Sequence, residues 1–135
     1  MPLAAGQVAR YRKNATAEPP TMRGFPTVLL TTIGARTGVE RTHVLGGFKD
    51  KESWLVVASN GGAAVHPRWF INLAKNPDKV WLEVGNQKFH VQPAELKGAE
   101  YEDAYSRITA AASNYGKYRK VTDREIPVIR LTPIS

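Results

Sequence analysis

The chain contains no cysteine. Disulfides, thiolate metal sites and a thiol nucleophile are thereby excluded, while the redox state of the compartment is left open. No apolar run approaches the ~20 residues that a membrane-spanning helix needs. The opening "MPLAAGQVARYRKN" is basic but has no apolar core of signal-peptide length, so a cytoplasmic location is expected. Acidic residues are scarce against basic ones, 12 to 19, and the net charge is +7. Such a balance favours anionic partners: nucleic acid, an acidic membrane surface or a polyanionic small molecule. The three histidines form no i, i+4 pair and no H-E-x-x-H, so no metal site is expected. There is also no nucleophile elbow, no P-loop and no nucleic-acid-binding signature. A solvated basic surface is the alternative to any of these anionic partners.

What is present reads as one domain of 135 residues, 42% hydrophobic and 23% charged, the balance of a globular protein. Residues 3–13 suit a short helix with Val8 and Tyr11 on one side. "NATAEPPTMRG" is then a linker, because Pro19-Pro20 cannot sit inside a regular element. Three strands are expected at 25–33, 41–50 and 54–59, the second loosened by Gly46-Gly47. Pro67 opens a helix that stops at Asn76-Pro77. Alternating apolar residues on both sides of Gly85-Asn86 make a hairpin. Tyr101, Ala104, Tyr105, Ile108 and Ala111/Ala112 fall at helical spacing. A broken helical segment and a final strand over "IPVIRLTPI" close the chain. Adjacent strands with helices inserted between them argue an α+β fold with a small antiparallel barrel.

Two stretches carry candidate chemistry. In "TTIGARTGVERTHV" (31–44), Gly34 and Gly38 free the backbone for close approach. Arg36 and Arg41 could bind phosphate or carboxylate, with Thr37 and Thr42 adding hydroxyls; a hairpin turn with solvated arginines is the alternative. In "VVASNGGAAVHPRWFINLAKNPDK" (56–79), small residues after a strand expose N–H groups that suit an anion, ahead of a helix N-terminus. Trp69, Asn72 and Leu73 share one helical face, where an indole and an amide could shape a ring pocket or simply pack the core. Tyr115 and Tyr118 lie three apart beside basic residues and could donate a proton, or could pack an amphipathic turn.

Taken together, "GARTGVERT", "VVASNGGAAVHPRWFINLAKNP" and "VTDREIPVIRL" occur in order and resemble the deazaflavin-dependent nitroreductase family of actinobacteria, whose members use reduced coenzyme F420. The resemblance runs from about Phe25 to the end. It implies a split β-barrel over 25–135, preceded by a helix and linker over 1–24. It also implies hydride transfer from the deazaflavin to a quinone, nitroaromatic or activated enone. By matching position, Arg36, Thr37, Gly38, Arg41 and Thr42 would hold the phosphate and oligoglutamate tail. His43, Val44 and Ala58 would line the ring. Ser59, Asn60, Gly61 and Gly62 would bond phosphate and ring edge, and Pro67, Trp69 and Asn72 would shape the helix side. Tyr115, Tyr118 and Ser59 are the catalytic candidates, the proton coming from one of these hydroxyls or from water. Gly46-Gly47 stands near a position where relatives often carry tyrosine, which implies a wider pocket. An FMN-dependent reductase of the same fold and a non-catalytic deazaflavin carrier are the alternatives. A monomer or homodimer with peripheral membrane contact completes the expectation.

Overall fold

The computed structural model describes residues 3–22, 24–59, 65–122 and 124–134. In chain order these form helix α1 (Leu3–Lys13), strands β1 (Thr21–Met22), β2 (Phe25–Ile33), β3 (Glu40–Gly46), β4 (Phe48–Asp50) and β5 (Ser53–Val57), and helix α2 (Arg68–Lys75). Next come strands β6 (Trp81–Val84) and β7 (Gln87–Glu95), helices α3 (Gly98–Ala111) and α4 (Asn114–Val121), and strand β8 (Val128–Pro133). Every strand pairing is antiparallel.

The expected strand over 41–50 is two strands, because the ladder breaks at Gly47. That break closes the barrel. The first half of the segment, β3, pairs with β2; the second half, β4, pairs with β5. From β2 the path continues through β6, β7 and β8 to β5, and so returns to the same segment. Gly47 stays tied at the turning point, its N–H donating to the Pro26 carbonyl at 3.0 Å. The third strand ends at Val57, two residues before the expected limit, and Ala58 and Ser59 leave the ladder as irregular chain.

β5 is buried along its whole length, which is why "WLVV" is apolar without alternation. Its side chains still divide by face. Trp54 and Val56 join Val28, Leu30, Leu82 and Leu131 inside the barrel. Leu55 and Val57 join Phe25, Phe48, Tyr105 and Ile108 under α3 and α4. Across the barrel, Val8 and Tyr11 of α1 pack on Leu29, with Val44 against them. The Tyr11 hydroxyl donates to the Thr27 carbonyl at 2.8 Å and accepts the Gly85 N–H at 3.0 Å. Arg12 forks onto Glu83 at 3.0 and 2.7 Å. The N-terminal helix is thus held by a buried hydroxyl and a bidentate ion pair as well as by apolar contact. The Gly85-Asn86 hairpin forms as expected, with Trp81–Val84 facing Gln87–His90.

Candidate active site

A cleft of about 660 Å³ opens between β3, the end of β5 and the start of α2. β3 supplies His43, Val44, Leu45 and Gly46, the β5 end supplies Val57 and Ser59, and the residues leading into α2 supply Val65, His66, Pro67, Arg68 and Trp69. Gln7, Met22 and Tyr115 complete the lining from α1, β1 and α4. No carboxylate is among these residues. Six of the residues singled out from sequence therefore meet here: His43, Val44, Ser59, Pro67, Trp69 and Tyr115. Asn60, Gly61 and Gly62 lie outside the described residues.

His43 is half-buried, and its Nδ1 is buried with no hydrogen-bond partner among the described residues. Burial, and then the charge of Arg41, lower its pKa, so the ring favours the neutral form. Tyr115 is a buried residue of the cleft lining. Burial, and then Tyr118, push its pKa up to about 12, so its hydroxyl keeps its proton through the physiological range. That hydroxyl forms no hydrogen bond among the described residues. Its oxygen fills the space above Gly46: a Cβ there would lie 2.8 Å from the Tyr115 hydroxyl and 2.7 Å from the Phe25 ring. The pocket is consequently not widened at Gly46. Phe25 and Tyr115 occupy the room that a side chain would have taken.

The remaining candidates stand behind or beside the cleft. Asn72 is buried, its Oδ1 accepting the Ala35 N–H at 3.0 Å and its Nδ2 donating to Thr32 Oγ1 at 3.4 Å. It joins α2 to the turn after β2. That turn is closed by Gly34 N–H to the Val39 carbonyl and Gly38 N–H to the Gly34 carbonyl, at 2.8 and 2.9 Å. Gly38 takes φ +70°, a conformation that glycine adopts without steric cost. The Thr37 hydroxyl accepts the Val39 N–H at 3.2 Å, and Thr42 bonds Thr31 through their hydroxyls at 2.8 Å. Arg36 and Arg41 are exposed and form no ion pair among the described residues, so the turn presents two uncommitted positive charges. Ala58 is fully buried behind the lining. Tyr118 packs edge-on against Tyr115 with ring centroids 5.5 Å apart, and its hydroxyl accepts from Asn114 Nδ2 at 3.2 Å.

Sequence reasoning passed over Gln7, Met22, Arg68 and, above all, Arg124. That guanidinium reaches the carbonyls of Ala58 and Ser59 at 3.1 and 2.6 Å, and its Nη1 lies 3.0 Å from His66 Nδ1. In the sequence it stands within "VTDREIPVIRL", and nothing local separates it from the chain's other cations.

A family model described as F420H(2)-dependent quinone reductase matches residues 4–133. The chain belongs to the F420H(2)-dependent quinone reductase family. An F420H(2)-dependent quinone reductase of Mycobacterium tuberculosis is 37% identical over 110 residues, spanning 79% of this chain and 73% of that protein. The solved F420-H2 dependent reductase FDR-A is 34% identical with a TM-score of 0.71, covering 78% of this chain and 93% of its own. Another solved structure, described as a domain-swapped dimer, is 31% identical with a TM-score of 0.74 over 94% and 95% of the two chains. The heme storage protein HutZ of Vibrio cholerae shares the fold alone, at 13% identity and a TM-score of 0.59 over 96% and 89%.

The family is one of oxidoreductases that use coenzyme F420 with a small-molecule acceptor, and its fold is the split barrel expected from sequence. The cleft of this chain fits such a cofactor by its own features. Its volume falls in the usual range for small-molecule sites, roughly 300–1,000 Å³. It lacks carboxylates, which an anionic ligand would meet unfavourably, and it holds a buried imidazole nitrogen that still needs a partner. No helix among the described residues is long and apolar enough to cross a membrane.

Proposed function

We propose that this chain reduces a quinone using F420H2 held in the cleft between β3, β5 and α2. The observation that carries the reading is the buried, unpartnered Nδ1 of His43 inside a carboxylate-free cleft. Reduced F420, when bound, supplies the hydride. The residues of the chain bind, orient and protonate. Arg36 and Arg41 would hold the phosphate and oligoglutamate tail, with backbone N–H groups and the hydroxyls of Thr37 and Thr42 nearby. His43 and Val44 would form one wall of the ring site and Pro67 and Trp69 the other, with Ala58 behind. Ser59 would bond the ring edge, and Asn60, Gly61 and Gly62 join it on sequence grounds alone. Asn72 acts indirectly, by fixing the arginine turn against α2. Tyr115 and Tyr118 would face the acceptor, where a hydroxyl that keeps its proton can offer a hydrogen bond to an oxygen gaining charge.

On this reading residues 25–135 carry the cofactor and residues 1–24 close one edge, through Gln7 and Met22. Nitroaromatics and activated enones are proposed as further acceptors. A cytoplasmic homodimer is the proposed assembly, motivated by the relative described as a domain-swapped dimer. Peripheral membrane contact would fall to Arg10 and Lys13, because Arg12 is committed to Glu83.

The test is absorbance-monitored oxidation of F420H2 against quinones, nitroaromatics and enones, with fluorescence titration of F420 and FMN alongside. Turnover with a quinone is expected. Tighter FMN binding, or F420 binding without turnover on any acceptor, would overturn the reading.

A further inference from the structure

The proposed chemistry gives His43 a task and leaves the second histidine of the cleft without one. His66 immediately precedes Pro67 and lines the cleft. Its Nδ1 lies 3.0 Å from Arg124 Nη1. A guanidinium has donors and no acceptor. In this contact Nδ1 must therefore carry the lone pair, and the ring proton sits on Nε2. The tautomer is fixed by the partner, as it commonly is when one ring nitrogen is engaged.

The partner is itself anchored. Arg124 Nη2 donates to the Ser59 carbonyl at 2.6 Å, and the two N–H groups of Nη1 are shared among His66 Nδ1 and the carbonyls of Ala58 and Glu125, the last two at 3.1 and 3.2 Å. The guanidinium thus bridges the end of β5, the approach to β8 and the entry to α2. The His66 ring packs on Phe70 with centroids 4.8 Å apart, which restrains its rotation. Nε2 has no hydrogen-bond partner among the described residues, and no carboxylate lines the cleft to take its proton.

Hydride addition to a quinone leaves negative charge on an oxygen, and a donor already oriented toward that oxygen stabilises it without reorganisation. We infer that Arg124 holds His66 as a fixed Nε2–H donor, and that this N–H meets the acceptor oxygen that gains charge. The inference rests on the proposed reduction of a quinone in this cleft. No proton leaves His66. One hydride and one proton convert the quinone to the hydroquinone, and the proton comes from a hydroxyl or water. His66 touches the acceptor, whereas Arg124 is a positioning residue.

The first arm of the test needs no cofactor. Long-range ¹H–¹⁵N correlation of the imidazoles in the full chain should show His66 as the Nε2–H tautomer. Arg124→Gln should lose that pattern, while Arg124→Lys, which keeps a donor, should retain part of it. An Nδ1–H ring in the wild type, or a pattern indifferent to both substitutions, overturns the Arg124–His66 coupling. The second arm uses menadione as acceptor. His66→Asn should lower kcat by about 100-fold, the loss typical of removing one donor to a developing oxyanion, with F420 affinity within about threefold. His66→Gln, whose amide N–H falls near the Nε2 position, should recover most of the rate. Unchanged kcat in His66→Asn overturns the acceptor role, and so does a loss confined to F420 affinity. A wild-type chain inert to every quinone overturns the proposed reduction and the acceptor role together. The spectrum still decides the tautomer in that case.

Discussion

Two ends of this barrel use the same residue types to opposite effect. Under α3 and α4 the tyrosines that enter the core are answered. The Tyr101 hydroxyl donates to the Ile126 carbonyl at 2.7 Å and the Tyr105 hydroxyl to the Tyr115 carbonyl at 2.6 Å. Arg119 covers both rings and pairs with Glu102. At the cleft, the Tyr115 hydroxyl and His43 Nδ1 have no partner among the described residues, and among those residues the arginines of the nearby turn form no ion pair. Buried polar groups are bonded as a rule, because an unmet one costs about 1–3 kcal/mol. Leaving the buried His43 Nδ1 unmet is costly unless a ligand answers it. That contrast marks the site more clearly than the presence of tyrosine or arginine does.

The contrast can be broken most forcefully at the turn. Arg41→Ala should weaken F420 binding by about 10- to 100-fold, since a charge-assisted bond is worth about 1.5–3 kcal/mol, while urea unfolding stays near wild type. Unchanged affinity in the titration would move the anionic tail elsewhere. At the satisfied end the outcome should invert. Tyr105→Phe removes the hydroxyl's bond to the Tyr115 carbonyl and should cost about 0.5–1.5 kcal/mol of stability, read by chemical denaturation, with F420 affinity preserved. A smaller effect is expected at the boundary between the two ends. Tyr118→Phe should lower kcat severalfold and leave F420 affinity in place; equal turnover would remove Tyr118 from the acceptor side. Smallest is the acid response of His43. Its folded pKa is lowered, so the unfolded chain binds the proton more readily. Stability is therefore highest above the unfolded value of about 6.5 and declines as pH falls through the lower folded value. Thermal melts of His43→Gln should show a shallower decline over that window, and a slope matching wild type would assign the effect to another group.

Much of this was legible in the sequence because it is local. β2 announces itself as an unbroken run of aliphatic and β-branched residues between Pro26 and Gly34, and Gly85-Asn86 carries its turn chemistry in two residues. The arginine turn and the Ser59–Asn72 stretch were legible as a pair only through resemblance, since neither spacing nor charge says that they meet. What escaped reading is set by long-range contact. Arg124 lies 58 residues from His66 in the chain, and no periodicity connects them. Asn72 sits on an apolar helical face and looks like a wall of the pocket. Its amide is spent instead on Ala35 and Thr32. Gly46 suggested extra room, but room depends on what else reaches in, and Phe25 and Tyr115 do.

The barrel's closure runs through one piece of chain, residues 40–50, half of it laced to β2 and half to β5. A ring fastened by a single clasp opens where the clasp lets go. The cleft is built on the part of that clasp just before the break, His43 to Gly46. A ligand that grips those residues therefore fastens the ring as well as filling it. Saturating it at 100 times Kd should hold the folded state by about 2.7 kcal/mol, and hydrogen exchange should slow first along β3.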